Sequence, residues 1–139
     1  MTSFRIDRFA FNAESVEAWA KEDPHHKNWP VVYTLDNDST IYIGESVNGS
    51  GRLRQHIDSG KKQALKYARV IVDETFNKSA CLDLESYLIR LAAGDGKYSV
   101  LNRNEGITNA DYYNRSLYRE VFPDIFDRLR SEGLFTRTI

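Results

Sequence analysis

The stretch VVYTLDNDSTIYIGES, residues 31–46, constrains this chain more than any other. Two runs rich in β-branched and aromatic residues flank the polar tetrad Asp36-Asn37-Asp38-Ser39, the pattern of a β-hairpin. A two-residue turn at Asn37-Asp38 and a four-residue loop at 36–39 give the same register, in which paired residue numbers sum to 75. Tyr33 then stands opposite Tyr42, with Cβ atoms about 4.5–5.5 Å apart. Val32, Thr34, Ile41 and Ile43 point to the other face, which is the more apolar and is expected to meet the core. The tyrosine face ends at Gly44, which has no side chain to block a ligand. Cross-strand tyrosines also serve simply to stabilise a sheet, and the hairpin alone does not separate the two uses.

The remaining elements follow from periodicity and punctuation. Residues 14–22 read as a short helix, followed by the breaker DPHHKNWP. A helix is expected from about Arg52 to Asp58, a strand over 69–75, and a helix from an N-cap at Ser79 to about Ala93. The segment YSVL is a short strand ending at Asn102, and the chain after NRNEGI is read as helical. In PDIFDRLRSEG, Pro123 marks a helix start and Gly133 its end. The fold class is α+β: a small three-stranded sheet, made of the hairpin and later strands, flanked by helices. With 139 residues the chain makes one domain. It comprises an N-terminal extension over 1–29, a core over 30–107 and C-terminal helices over 108–139.

The lone cysteine, Cys81, excludes an internal disulfide, and structural zinc is not expected. A reducing, cytoplasmic setting is the default, or wherever the chain's partner resides. No run is long and apolar enough for a membrane span, and MTSFRIDRFAFN alternates charged and aromatic residues instead of forming a signal-peptide core. The net charge of −1 is uninformative, so any basic surface is local. Residues 47–70 supply one: Arg52, Arg54, Lys61, Lys62, Lys66 and Arg69 against the single acid Asp58. Such a segment can track a nucleic-acid backbone, or form an ordinary solvated surface.

Glu85 is the other residue that asks for a reason. Cys81, Leu84, Leu88 and Leu91 mark one face of their helix, and Glu85 lies on or beside it. A carboxylate facing inward costs several kcal/mol unless something pairs with it. A divalent cation does so, whereas a position at the stripe's edge lets the carboxylate reach water. Asp83 falls on the opposite side. His25 and His26 are read as solvated, Cys81 as a buried helical thiol, and Tyr112, Tyr113 and Tyr118 as packing for the C-terminal helices. The segment GESVNGSGRL lacks the ending and spacing of a nucleotide-binding glycine loop.

Arg52 follows Tyr42 by ten residues and His56 lies one helical turn further on. With Val31-Val32-Tyr33, the intact Tyr42-Ile43-Gly44, Glu85 and Asn102, this ordered set resembles the GIY-YIG nuclease family over about residues 31–105. Val31 and Val32 stand where the first motif has Gly and Ile. The segments NWPVVYTL and FNKSACLDLESYLIRL further resemble a subgroup placed ahead of an ATP-dependent helicase module.

The resemblance implies an endonuclease that hydrolyses phosphodiesters in nucleic acid, DNA before RNA, with a single Mg²⁺ or Mn²⁺. It implies catalytic roles for Tyr33, Tyr42, Arg52, His56, Glu85 and Asn102. Tyr42, with Tyr33 beside it, accepts or relays the proton of the attacking water. Arg52 holds a phosphate oxygen, Glu85 binds the metal, Asn102 orients phosphate or water, and His56 assists the base or contacts phosphate. These residues are expected to converge on one concave surface. Two rivals stand beside this reading: a nucleic-acid-binding module without useful catalysis, and an interaction domain coupled to a helicase.

Overall fold

A computed structural model describes residues 4–102 and 111–136. It shows a five-stranded mixed sheet with two helices on each face. The strands are β1 (Arg5–Ala10), β2 (Val31–Asp36), β3 (Thr40–Ser46), β4 (Tyr67–Val72) and β5 (Ser99–Val100), in spatial order β1-β4-β2-β3-β5. All neighbours are antiparallel except β3 and β5. The expected three-stranded sheet is therefore too small. The N-terminal extension supplies β1, which pairs along its whole length with β4. The alternation in RIDRFA that argued against a signal peptide is the period-two pattern of this strand.

The helices are α1 (Ala13–Glu22), α2 (Gly49–Ser59), α3 (Lys78–Asp95) and α4 (Arg115–Ser131). Because strand side chains alternate, the sheet feeds two cores. Val32, Ile41, Ile43 and Ile71 pack with α3 and α4, burying Cys81, Leu84, Leu88, Phe122 and Phe126. Val31, Tyr33, Leu35, Val70 and Val72 pack with Val16 and Trp19 of α1 and Leu53 of α2. The tyrosine face is thus not the open one expected from its polarity; α1 and α2 cover it.

The hairpin register also differs. Tyr33 pairs with Gly44 and Leu35 with Tyr42, so paired numbers sum to 77. The turn explains the shift. Asn37 Oδ1 accepts from the backbone N–H groups of Ser39 and Thr40 at 2.8 Å, closing an Asn37–Thr40 loop behind the pair Asp36–Ile41. A slip of two residues leaves every side chain on its expected face. It moves the tyrosines from opposite to diagonal, with ring centroids 6.3 Å apart.

Helix boundaries follow their caps. Asn48 Oδ1 accepts from Gly51 N–H, so α2 begins at Gly49, three residues before the expected start at Arg52. Asn77, not Ser79, caps α3, accepting from Ala80 N–H. Pro123 lies inside α4 and does not start it. A proline there costs about 3 kcal/mol. Burying Phe122, Ile125, Phe126 and Leu129, at about 1.5–3 kcal/mol each, outweighs that cost. Tyr112 donates to Asp83 and Tyr118 to the Thr75 carbonyl, tying the C-terminal region to α3 and its approach, whereas Tyr113 is exposed. Asp83 is buried against Arg115 and Arg119. The NRNEGI segment lies mostly outside the described residues.

His26 corrects its expected solvation. Its ring stacks on Trp19 at 3.9 Å and is buried. Nδ1 lies 2.6 Å from the Trp19 carbonyl and so carries the proton, which leaves Nε2 to accept from Arg5 at 2.9 Å.

Candidate active site

Gly44 is where the two halves of the hairpin motif meet. A Cβ at this position would lie 2.4 Å from the Tyr33 hydroxyl oxygen and 2.5 Å from Cζ. The glycine is therefore the floor on which the Tyr33 ring lies. Held there, and fully buried, the Tyr33 hydroxyl reaches His56 Nε2 at 2.7 Å. The Asn48 cap sets this up: it starts α2 so that Arg52 and His56 stand one turn apart above the tyrosines. A Cβ at Gly49 would come within 3.1 Å of Trp19 and Val31, so the glycine lets the first turn lie close against the sheet.

The Arg52 guanidinium lies close enough to both tyrosine hydroxyls for each to favour its charge, and it donates to Gln55 Oε1 at 3.0 Å. Burial opposes its charge, but the oxygens of Tyr33 and Tyr42 hold the guanidinium above its ordinary range. Arg52 can only donate and its charge faces the Tyr33 oxygen, an arrangement in which the Tyr33 proton points to His56 Nε2. His56 is neutral: burial, then the charges of Lys62 and Arg52, push its pKa down to about 4. The Tyr33 hydroxyl is pushed well above the usual phenol range, chiefly by burial and then by Tyr42, with Arg52 pulling the other way. Tyr42 is only partly buried; its ring meets the His56 ring edge-on at 5.1 Å and carries Lys62 Nζ at 4.5 Å.

Glu85, on α3, stands on the other face of the sheet. Along the outer edge of β3 the Ile41 carbonyl accepts from Leu101 N–H, just past β5. At Ile43 the strand has run out, and the Asn102 side chain takes its place: Oδ1 accepts from Ile43 N–H at 2.8 Å and Nδ2 donates to Ile43 O at 2.7 Å. Next along the edge comes Glu45, whose backbone N–H favours the charged form of the neighbouring Glu85 carboxylate. The residues were expected to converge on one concave surface; instead Glu85 and the tyrosines lie on opposite faces of the sheet, on either side of the part of β3 that β5 leaves uncovered. Glu85 still acts electrostatically on Tyr33. Asn102 is an anchor here, its amide committed to β3.

The sequence reading missed Glu45, two residues before Val47 on the face toward α3. Burial and then the Glu45 carboxylate raise the Glu85 pKa to about 7, against Lys78. Lys78 itself bridges both Glu45 oxygens, at 2.6 and 2.7 Å. Alternation along YIGES places Glu45 on the Glu85 face, but only once α3 is known to lie there. A half-buried carboxylate facing another carboxylate at an open strand edge suits a hard divalent cation. Among the described residues no three His, Cys, Asp or Glu side chains form a cage, so Glu85 would hold the ion with water and substrate oxygens.

The basic stretch divides. Lys61 and Lys66 are exposed and Lys62 borders the site. Arg54 is within 3.8 Å of Asp58 on its own helix. Arg69 is not available: it is buried on the opposite face, paired with Asp36 at 2.7 Å and Glu132 at 3.3 Å.

A tyrosine–histidine hydrogen bond, a guanidinium beside the tyrosine hydroxyls and a carboxylate suited to a cation are groups that phosphate-ester hydrolysis can use. The comparison with known families makes this specific. A model of the GIY-YIG catalytic domain matches residues 30–99, half of the chain, and the chain belongs to that family of nucleases. No curated protein and no solved structure matches the chain.

Proposed function

We propose that this chain is a metal-dependent endonuclease domain that cuts one strand of DNA, with Tyr33 and His56 as the proton-accepting pair. The 2.7 Å contact between them carries the reading. A buried phenol is a poor base if it must become a free phenolate, and burial makes that ion costlier. A proton acceptor behind the phenol removes the difficulty. As water attacks phosphorus, its proton passes to the Tyr33 oxygen while the Tyr33 proton passes to His56 Nε2. Neither step leaves an isolated phenolate. Arg52, held between the tyrosines, binds a non-bridging phosphate oxygen and stabilises the growing charge. Tyr42 positions that guanidinium. Glu85 would hold Mg²⁺ or Mn²⁺, which would supply positive charge against the negative charge that grows during phosphodiester hydrolysis. Lys61, Lys62 and Lys66 follow the backbone of the strand.

Attachment to a helicase module is supported by the likeness of NWPVVYTL and FNKSACLDLESYLIRL alone. The rival of a binding module without catalysis is disfavoured by the intact Tyr33–His56–Arg52 arrangement.

Glu85→Gln tests the enzyme reading because it keeps size and removes charge. The variant is expected to fold, to bind DNA and to cleave at least about a hundredfold more slowly, the scale of about 2.7–4 kcal/mol for removing one charge-stabilising group. Mg²⁺ is expected to raise the melting temperature of the wild type but not of this variant. Wild-type cleavage that persists in EDTA, or normal cleavage by the variant, refutes the metal role.

A further inference from the structure

Behind His56 lies a cavity of about 210 Å³ whose walls come from both the family core and the N-terminal extension. Phe11, Ile57 and Leu65 give it apolar walls, and Lys62 and Gln63 stand at its rim. We propose that it receives one unpaired nucleobase, from a nucleotide next to the scissile phosphate, so that the preferred substrate is single-stranded or locally unpaired DNA. The inference rests on the nuclease reading for the position of that phosphate.

Three observations carry it. First, the cavity is joined to the site. The His56 ring lines it and also accepts from Tyr33, and Lys62 lines it and also covers the Tyr42 ring. A group seated there is within a nucleotide's reach of a phosphate on Arg52. Second, size and lining suit one ring system. The volume is below the roughly 300–1,000 Å³ of pockets for larger ligands. An aromatic ring with two aliphatic walls stacks a base face without regard to sequence, while a lysine and an amide at the rim can meet a base edge. Among the described residues Lys62 has no carboxylate partner, so its charge is left for the strand.

Third, the cavity is built into the fold. Phe11 N–H bonds the Lys66 carbonyl at 2.8 Å, and Lys66 N–H bonds the Asp36 carbonyl at 2.9 Å. Asn37 Nδ2 donates to the Ala64 carbonyl at 3.0 Å. The turn carrying Lys62 and Gln63 is thereby pinned to the hairpin loop on one side and to the Phe11 wall on the other. Residues 11–13 precede the matched family segment, so this chain's own extension completes the pocket. A base stacked and paired in duplex cannot enter; one already unpaired enters without the cost of extrusion.

The test reads binding in EDTA, where nothing is cut. A short fluorescein-labelled single strand is compared with a series in which one base at a time is replaced by an abasic site. One position is expected to stand out, its removal weakening binding about tenfold, equivalent to about 1.4 kcal/mol. Ala13→Met, which narrows the cavity from the first turn of α1, is expected to erase that positional penalty and to leave duplex binding unchanged. Gln63→Ala, at an exposed position, gives the same direction with a smaller effect and does not depend on how the first variant folds. A flat abasic profile in the wild type overturns the pocket, as does an unaltered profile in a folded Ala13→Met or, if that fails to fold, in Gln63→Ala. Adding Mg²⁺ then separates the two readings. A strand bound with a positional penalty but never cut removes the nuclease reading alone; a strand cut with a flat profile removes the pocket alone.

Discussion

Gly44→Ala is the substitution whose effect the geometry defines most sharply. The new Cβ would lie 2.4 Å from the Tyr33 hydroxyl oxygen and 2.5 Å from Cζ, where ordinary contact begins near 3.4 Å. Either the ring lifts by about 1 Å or β3 bows away from it. Tyr33 is walled in on its other side by α1 and α2, so over-packing costs about 1–3 kcal/mol. Removing a glycine from the unfolded chain offsets about 0.4–1 kcal/mol of this. Melting is therefore expected to fall by only a few degrees. Activity is expected to fall much further, because a displacement of about 1 Å at a reacting group costs on the order of a hundredfold. The Tyr33–His56 bond is at 2.7 Å and does not survive such a shift. Steady-state cleavage of a labelled oligonucleotide, with calorimetric melting in parallel, measures both. Tyr33→Phe supplies the control: if both substitutions act by taking the hydroxyl from His56, the double variant is little worse than either alone. A Gly44→Ala protein that melts a few degrees low yet cuts within a few-fold of wild type refutes the claim that the Tyr33 hydroxyl must stand where it does.

Charge reversal at Lys61, Lys62 and Lys66 is expected to weaken DNA binding across sequences and to flatten its salt dependence, by about 0.7 in log–log slope on single strands or about 0.9 on duplex for each phosphate no longer neutralised; anisotropy over a salt series reads this, and an unchanged slope marks a merely solvated surface. Arg69→Ala, by contrast, is expected to leave that slope alone and to destabilise the fold by about 3–5 kcal/mol, since it strands the buried Asp36 carboxylate. Acid stability carries opposite signs from two site residues. His56, lowered from 6.5 to about 4, contributes stability above its ordinary pKa that is lost as pH falls through about 4. Glu85, raised from 4.5 to about 7, contributes in metal-free protein below its ordinary pKa, and that contribution is lost as pH rises through about 7. Melting in EDTA across this range, with His56→Asn and Glu85→Gln, is expected to flatten the acid and the neutral limb respectively; variants that keep the wild-type profile refute the assignments.

Much of the site could be read along the chain because its parts are local. Tyr33, Tyr42 and Gly44 lie on one hairpin, and the alternation of side chains fixed their faces even though the register was two residues off. Arg52 and His56 share one helix, where a spacing of four residues guarantees a common side. The strand in the N-terminal extension was visible as alternation in RIDRFA, but alternation does not say which strand it joins.

What the amino-acid order could not settle is whatever depends on the far side of a contact. Arg69 and Lys66 are alike as cations three residues apart; only the arrival of Asp36 and Glu132 makes one a buried ion pair and leaves the other to solvent. Asn102 reads as a polar residue at the end of a strand until β5 stops short and its amide completes the edge of β3. Glu45 gains its influence on Glu85 only when α3 packs on that face. The sequence by itself determined the hairpin, the helix bearing Arg52 and His56, and the residue types the chemistry needs, because secondary structure and motif spacing are short-range. Tertiary structure decided burial, and with it protonation and availability. The desolvation that keeps His56 neutral and raises Glu85 comes from residues far away in the chain that the fold brings against them.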